Sequence, residues 1–322
     1  MTVSDSELPL LYIICPCYNE ELVLPGSSEK LKNKLLFLKR AEKISASSKI
    51  LFVDDGSVDE TWQIIRNLHE NEPETFSGMS LANNFGQQNA LLAGLLTVKD
   101  RCDIAVSMDV DLQDDIEAID MMIEKYSGEG CNIVYGCRND RISDTFFKRF
   151  TAASFYKFMN FMGVKLIFNH SEFRLMDREA LEALADFKEV NIFLRGLIPM
   201  IGLKQDCIYY KGKKRLAGES KYTFPSLLDL AWQAVTSMSV MPIRCIMWMG
   251  IGMALLSVMM FIYALASHFN GIAISGWTSL IISIWFIGGL NLFSISIIGE
   301  YIGKIYLEVK NRPRFIIDTY KQ

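Results

Sequence analysis

The segment Met108–Asp115 reads MDVDLQDD and places four aspartates within eight positions, directly after the apolar run Ile104–Ser107. Like charges this close repel, so the cluster is costly at the end of a buried strand unless a cation is held there. Asp109 and Asp111 lie two residues apart, which directs both carboxylates to the same side of an extended segment. Hard divalent cations take one or two carboxylates and leave their other positions to water and phosphate. The spacing therefore predicts a Mg²⁺ or Mn²⁺ site at Asp109 and Asp111.

The next two aspartates have a different predicted role. Asp114 and Asp115 precede the helix-like segment IEAIDMMIEKY. Acidic side chains at the start of a helix interact favourably with its dipole. We therefore expect Asp114 and Asp115 to stabilise that helix start.

A second acidic pair, Asp54 and Asp55, opens the turn DDGS. Gly56 suits a positive φ in such a turn, and Ser57 or Asp59 suits the cap of the next helix. A turn does not account for two adjacent acids. One of them is free to accept hydrogen bonds from a nucleotide base or ribose.

The elements that must position these acids follow an alternating pattern. Apolar runs of strand length alternate with helix-like segments, which predicts an α/β domain with a mostly parallel sheet and helices on both faces. The predicted strands are Leu10–Cys15, Lys49–Val53, Ile104–Met108 and Asn132–Tyr135, and the predicted helices are Glu29–Lys43, Glu60–Glu70, Gln88–Val98 and Ile116–Tyr126. Ligands bind beyond the carboxyl ends of the strands in such sheets, which is where the polar clusters lie. The sequence has no GxGxxG and no GxxxxGK[ST], which argues against a dinucleotide-binding Rossmann domain and a P-loop NTPase.

Composition excludes several classes of protein. The net charge of −4 gives no indication of a nucleic-acid partner. The seven cysteines form no C-x-x-C pair, so we interpret them as reduced thiols in a cytosolic domain. The three histidines are too scattered along the chain for a zinc site.

The C-terminal third is typical of a membrane protein. Residues 245–267 and 269–299 contain no Asp, Glu, Lys or Arg, and each stretch is long enough to cross a hydrocarbon core of roughly 30 Å. Arg or Lys residues precede the first stretch and follow the second, whereas the loop between them contains neither. The positive-inside rule then places both ends in the cytosol. Glycines at 250, 252, 288 and 289 permit close helix packing in a homo-oligomer.

These patterns predict four regions. They are a cytosolic domain at 1–223, an amphipathic juxtamembrane helix at 224–243, two transmembrane helices with a short external loop at 244–300, and a cytosolic basic tail at 301–322. The helix at 224–243 is expected to lie on the membrane, and packing in the soluble core is the alternative.

Six motifs occur in the order seen in family 2 glycosyltransferases of GT-A fold: PCYNEE, VDDGSVDET, NNFGQQNALLAGL, MDVDLQDD, EFRLMDR and RLAGESKY. With the C-terminal segment IGEYIGKIYLEVKNRPRFII, the chain resembles polyprenyl-phosphate glycosyltransferases, the bactoprenol glucosyltransferase group related to dolichyl-phosphate mannose synthase. It departs from the family pattern at Asn83, where Arg is common, and at Ser171–Glu172, where Gly-Asp is common.

The resemblance implies transfer of a sugar from a nucleotide sugar to a polyprenyl phosphate. It assigns nucleotide binding to Pro16, Tyr18, Asn19, Glu20, Asp54 and Asp55, and the metal to Asp109 and Asp111 with Gln113. Asp111, Glu172 and Arg174 are the expected catalytic residues, and a structural ion pair is the alternative for the last two. Arg215, Ser220 and Lys221 are expected to approach the lipid phosphate or the donor diphosphate.

The chemistry fits an inverting transfer from UDP-glucose or a similar UDP-hexose to undecaprenyl phosphate. The acceptor phosphate has a second pKa of about 6, so it needs little general-base help, but it does need cations. The segment 211–221 supplies five basic residues against one acid, and attraction to anionic lipid is its simpler role. The product would serve modification of a cell-surface polymer.

Two alternative functions remain. A processive polysaccharide synthase is a weaker candidate because the sequence lacks Q-x-x-R-W, and a non-catalytic membrane-anchored nucleotide-binding protein is the other.

Overall fold

The computed structural model describes residues 8–139, 169–211, 235–269 and 276–322, together with residues 157, 159, 161, 162, 167 and 232. The chain divides into two compact units. The first contains the sheet and also Arg312–Gln322, and the second contains two long helices. Arg215, Ser220 and Lys221, with half of the predicted juxtamembrane helix at 224–243, lie outside the described residues.

The first unit is built on one eight-stranded sheet. Its strands are β1 (Leu11–Cys17), β2 (Lys49–Asp54), β3 (Phe76–Leu81), β4 (Ile104–Ser107), β5 (Ile133–Arg138), β6 (His170–Asp177), β7 (Gln205–Tyr210) and β8 (Ile317–Lys321). The order across the sheet is β7-β5-β6-β4-β1-β2-β3-β8. Four neighbouring pairs are parallel and three are antiparallel, because β6 and β8 run against their neighbours. The predicted α/β fold with a mostly parallel, GT-A-like sheet is confirmed.

Helices cover both faces of the sheet. They are α1 (Leu24–Arg40), α2 (Thr61–Asn71), α3 (Gln87–Val98), α4 (Ala118–Glu129), α5 (Arg178–Asp186) and the short α6 (Leu194–Leu197), which continues as a 3₁₀ turn at Ile198–Ile201. Residues of β1 alternate between two cores, with Ile13 on the α1 and α4 side and Ile14 on the α3 and α5 side. This alternation follows from the two-residue period of a strand. A central strand buried on both faces is rigid, so it fixes the residues that follow it.

The chain returns to the sheet at its C-terminal end. Strand β8 pairs antiparallel with β3, and the N–H of Ala82 donates to the carbonyl of Ile316 at 2.9 Å. Arg101 lies over the ring of Tyr320, 5.1 Å from its centroid. The sequence predicts one basic tail at 301–322, whereas in the structure a helix continues to Lys310 and a strand then joins the sheet edge. This strand covers an edge that would otherwise be open to pairing with another chain.

The second unit contains α7 (Met241–Phe269) and α8 (Trp277–Lys310). Among the described residues, one helical segment, Phe286–Lys310, is long and apolar enough to cross a membrane by length and composition, with a mean hydropathy of 1.3. The apolar segment Met241–Met253 of α7 is shorter. The prediction of two transmembrane helices is therefore not confirmed.

Candidate active site

The polar residues that follow β1, β2 and β4 lie at one edge of the sheet. Cys17 at the end of β1 pairs with Asp54 at the end of β2, whereas β4 ends at Ser107, which pairs with Ile14 three residues before the end of β1. Because the three strands are adjacent and parallel, the segments that follow them leave the sheet at the same edge. The clusters PCYNEE, DDGSVDE and MDVDLQDD are therefore neighbours in space.

Asp54 and Asp55 are almost completely buried, at 1 % and 2 % exposure. Asp54 accepts hydrogen bonds from the N–H of Ser57 at 3.3 Å and from the Ser80 hydroxyl at 3.4 Å. Asp55 accepts from the N–H of Phe85 at 2.8 Å. Burial raises the pKa of both carboxyls, and these hydrogen bonds oppose the rise. These hydrogen bonds therefore hold both buried carboxylates in fixed positions at the end of β2.

The turn after Asp55 depends on glycine. Gly56 has a φ of +67°, and a Cβ there would meet the carbonyl carbon of Asn83 at 2.6 Å. The predicted positive φ is confirmed, and the close approach explains why no larger residue fits. Asp59 accepts from the N–H of Thr61 at 3.0 Å, as expected for a residue at the start of α2.

The nucleotide-binding candidates after β1 are tied to the same turn. Asn19 has a φ of +52°, its N–H donates to the Ser57 hydroxyl, and its side-chain oxygen accepts from the N–H of Val58, both at 3.0 Å. The N–H of Glu20 donates to the Thr61 hydroxyl at 2.9 Å. Pro16 is buried in β1 and Tyr18 is exposed just beyond it. The structure brings these residues beside Asp54 and Asp55, and their contact with a nucleotide stays a prediction.

Asp109 lies in a strongly acidic environment. Burial, and then the charges of Asp114, Glu172 and Asp111, raise the pKa of the Asp109 carboxyl to about 7, although Arg195 lowers it. The side-chain amide of Gln87, the first residue of α3, donates to Asp109 at 2.7 Å. A divalent cation would relieve the repulsion that raises this pKa.

Asp111 and Gln113 bind each other across a sharp turn. The backbone N–H of Gln113 donates to one Asp111 oxygen at 3.2 Å, and its side-chain amide donates to the other at 2.7 Å. Leu112 between them has a φ of +50°. The carboxylates of Asp109 and Asp111 are hard oxygen ligands that fit Mg²⁺ or Mn²⁺. The Gln113 amide turns its nitrogen toward Asp111, so its place as a ligand stays a prediction.

The sequence prediction for Asp114 is wrong. Its carboxylate is buried and pairs with Arg138 at the end of β5, whose Nε and Nη2 donate to it at 2.9 and 2.6 Å. The helix after it begins only at Ala118, and charge pairing across the sheet outweighs an interaction with the helix dipole. Asp115 accepts from the N–H of Glu117 at 3.3 Å in the turn before the helix, and its stabilisation of the helix start stays a prediction.

Glu172 is held between two arginines. One oxygen pairs with Arg174 and the other accepts from Nε of Arg195 at 2.8 Å. Burial would raise the pKa of Glu172, but the two guanidinium groups outweigh it and lower that pKa to about 2. A group with so low a pKa is a weak general base at neutral pH. Arg174 has no exposed surface, so the geometry favours the ion-pair alternative for both residues.

A second set of possible metal ligands lies among the described residues. Among the described side chains, the one group of three with metal-ligand spacing is Glu129, Cys131 and Asp206. The Lys125 ammonium already pairs with both of its carboxylates. We therefore place the candidate cation site at Asp109 and Asp111.

The sequence of the sheet domain decides the family. The family model described as "Glycosyl transferase family 2" matches residues 12–185, which span β1 to α5. The chain belongs to glycosyl transferase family 2. The resemblance found in the motifs is confirmed, and the protein is a glycosyltransferase enzyme.

Curated relatives match nearly the full length of this glycosyltransferase. The "Uncharacterized glycosyltransferase YkoT" of Bacillus subtilis is 48 % identical over 310 residues, 96 % of this chain and 91 % of that protein. The "Bactoprenol glucosyl transferase" of Shigella phage SfII is 37 % identical over 310 residues, 95 % of this chain and 96 % of that protein. Among solved structures, glucosyl-3-phosphoglycerate synthase from Mycobacterium tuberculosis is 15 % identical with a TM-score of 0.44, covering 72 % of this chain and 79 % of that one. That structural likeness is too low to inform the substrate.

Sequence reasoning missed four side chains of the glycosyltransferase site: Gln87, Arg138, Arg195 and Tyr210. Arg138 offered a signal, because it is a charged residue directly after the apolar strand IVYGC. Arg195 offered another, as a lone cation in the apolar stretch IFLRGLIPM. Neither residue is adjacent to an acid in sequence, so their pairing was visible only in the fold.

The acidic environment of Asp109 predicts a pH-dependent stability. Its folded pKa of about 7 lies above the unfolded value, so the protonated carboxyl favours the folded state, and this contribution is lost as the pH rises from roughly 4 to 7. Asp109→Asn is neutral at every pH. In EDTA it should be more stable than the wild type above pH 7 by about 1–2 kcal/mol, after allowing for solvent screening, and equally stable near pH 4. Thermal unfolding of both proteins across this range measures the difference, and a difference that does not change with pH contradicts the prediction.

The buried Glu172–Arg174 pair predicts a large loss on removing one partner. Glu172→Gln leaves the Arg174 guanidinium buried without its counter-charge, and the free energy of unfolding should fall by about 3–5 kcal/mol. Glu182→Gln, an exposed position on α5, is the matched control and should stay within about 0.5 kcal/mol of the wild type. Adding Arg174→Gln to Glu172→Gln should cost less than the sum of the two single changes. Equal losses for Glu172→Gln and Glu182→Gln in denaturant unfolding would show that the pair is not structural.

Proposed function

We propose that this enzyme transfers a hexose, with glucose as the leading candidate, from a UDP-sugar to undecaprenyl phosphate, inverting the anomeric centre. The observation that carries the proposal is the convergence of Asp54, Asp55, Asp109 and Asp111 at the carboxyl edge of three central strands. The names of the bactoprenol glucosyl transferase relatives, at 36–37 % identity over nearly the whole chain, support the acceptor. The product would serve modification of a cell-surface polymer.

The donor is proposed to lie along the edge formed by β1, β2 and β4. Asp54, Asp55, Asn19 and Glu20 would hold the nucleoside, with Pro16 and Tyr18 beside it, because buried carboxylates and fixed backbone groups suit base and ribose hydroxyls. Asp109 and Asp111, with Gln113, would hold Mg²⁺ or Mn²⁺ at the diphosphate. When bound, the cation supplies positive charge that offsets the charge developing on the departing nucleoside diphosphate.

The acceptor explains why the site has little need of a general base. A phosphate monoester is mostly dianionic at neutral pH and attacks without losing a proton to the protein. Glu172, whose oxygens are both engaged by arginines, fits such a site. Arg195, on α6 and 37 % exposed, adds positive charge near Asp109 and would help two anions approach. Arg215, Ser220 and Lys221 are proposed to approach the lipid phosphate or the donor diphosphate.

We propose that the enzyme is anchored in the cytoplasmic membrane with its catalytic domain and both termini in the cytosol. The apolar segment Phe286–Lys310 supports one span. The uncharged stretch 245–267, most of α7, and the basic residues that flank the two stretches support a second. A membrane anchor places the catalytic domain next to a lipid acceptor. The membrane-spanning helices would then contact membrane lipids. A homo-oligomer that packs through the glycines of α7 and α8 stays a prediction.

The experiment is a donor screen with purified protein, undecaprenyl phosphate, and Mg²⁺ or Mn²⁺. Radiolabel from one UDP-hexose should enter a butanol-soluble, mild-acid-labile lipid, and the productive donor identifies the sugar. Asp111→Asn should reduce transfer by about 100-fold or more, because it removes charge stabilisation of the leaving group. Asp115→Asn makes the same charge change at a helix start and should stay within about twofold of the wild type.

The outcomes separate the proposal from its alternatives. Absence of transfer with every donor tried would overturn the proposed reaction. Radiolabel in a long polymer without a lipid-linked monosaccharide would indicate a processive synthase. Full activity of Asp111→Asn would overturn the metal assignment while leaving the acceptor in place.

A further inference from the structure

We propose that Asp114 is a positioning residue that holds the loop Asp109–Gln113 in its cation-binding shape by anchoring it to the ends of three strands. The inference rests on the proposed metal-dependent function and deepens it. It assigns to Asp114, Arg138, Ser171 and Tyr210 a role that the sequence motifs did not suggest.

The anchor is a single buried carboxylate with partners on three strands. Asp114 is 1 % exposed, and besides Arg138 on β5 it accepts hydrogen bonds from the Ser171 hydroxyl on β6 at 3.2 Å and the Tyr210 hydroxyl on β7 at 2.5 Å. The partners are therefore fixed by the sheet itself. A buried charge that satisfies several rigid donors specifies one position for the chain that carries it.

The anchor reaches Asp111 by two routes. Along the backbone, Asp114 is three residues from Asp111. Through side chains, Nη1 of Arg138 lies 3.5 Å from the Gln113 side-chain oxygen, and the Gln113 amide donates to Asp111 at 2.7 Å. A displacement of Arg138 would therefore move the residue that orients Asp111.

The loop needs such an anchor because its backbone is strained. Leu112 adopts a φ of +50°, a region that branched or bulky side chains rarely enter, and its side chain is buried in the core. Strained conformations persist when their surroundings over-determine them. Buried Val110 and Leu112 hold the loop from one side, and the Asp114 cluster holds its end.

Ser171 is one of the three residues, with Asn83 and Glu172, at which this chain departs from the family pattern, and glycine is common at its position. Its hydroxyl donates to Asp114 and also accepts from the N–H of Phe173 at 3.2 Å. Glycine would supply neither contact. The serine therefore ties the strand that carries Glu172 to the loop that carries Asp111.

The test compares Mn²⁺ binding by the full-length protein in detergent with UDP present, measured by electron paramagnetic resonance. Asp114→Asn keeps the shape of the side chain but removes its charge, so the Kd for Mn²⁺ should rise about tenfold or more, as for other residues that orient metal ligands. Tyr210→Phe removes one hydroxyl from the cluster and should raise the Kd by a smaller factor. In transfer assays the Mn²⁺ concentration at half-maximal rate should rise in parallel, with kcat at saturating Mn²⁺ less affected.

Asp120→Asn is the matched control. It breaks the ion pair with Lys34, which is 4 % exposed, on α4 and α1 away from the loop. This variant should lower the Tm without changing the Kd for Mn²⁺. If the role of Asp114 were purely structural, Asp114→Asn would likewise lower the Tm and leave the Kd for Mn²⁺ unchanged.

The proposal is overturned if Asp114→Asn and Tyr210→Phe both bind Mn²⁺ within twofold of the wild type. If Asp114→Asn does not fold, Tyr210→Phe decides by the same criterion. Failure of the wild type to bind Mn²⁺ would overturn the proposed cation site and the anchor with it. If the wild type binds Mn²⁺ and both variants bind it with the same Kd, the anchoring role of Asp114 is overturned and the proposed cation site is retained.

Discussion

Repulsion among carboxylates at one edge of the sheet is the constraint on which the rest of the site depends. Asp109, Asp111, Asp114 and Glu172 lie close enough for their charges to raise the pKa of Asp109. Arg138 pairs with Asp114, and Arg174 and Arg195 pair with Glu172. Asp109 and Asp111 accept hydrogen bonds from the side-chain amides of Gln87 and Gln113. Asp109 and Asp111 are the two acids proposed to bind a divalent cation.

The ion pairs between arginines and carboxylates also explain how the site is held rigid. Two of these pairs join elements that are distant in sequence: Arg138 and Asp114 join β5 to the loop after β4, and Arg195 and Glu172 join the short helix α6 to β6. A displacement of either element would leave a buried charge without its counter-charge, so these pairs favour one arrangement of the elements. Arg195 would also serve the proposed chemistry, because it adds positive charge near Asp109 and a phosphate acceptor needs positive charge more than it needs a base. In a transfer to a sugar hydroxyl, a carboxylate clamped like Glu172 would be poorly suited.

The sequence predicts the parts of the fold that depend on local pattern. Strands β1, β2, β4 and β5 are apolar runs, and they were found within a few residues of their observed bounds. Strand β3 reads FSGMSL and is missed, because serines and a glycine interrupt its apolar residues, although it is buried between β2 and β8. The partners of Asp114 lie 24, 57 and 96 residues away in the sequence. The general preference for acidic residues before a helix therefore could not identify its role. The family motifs located the site, and the fold showed which of its acids are already paired.

The central proposal is that Asp109 and Asp111 are the cation ligands. Anomalous diffraction from crystals of the protein grown with Mn²⁺ and UDP measures the position of the metal directly. The account predicts an anomalous peak within about 2.5 Å of carboxylate oxygens of Asp109 and Asp111. A peak at Glu129, Cys131 and Asp206, or none at this edge of the sheet with UDP bound, would contradict it.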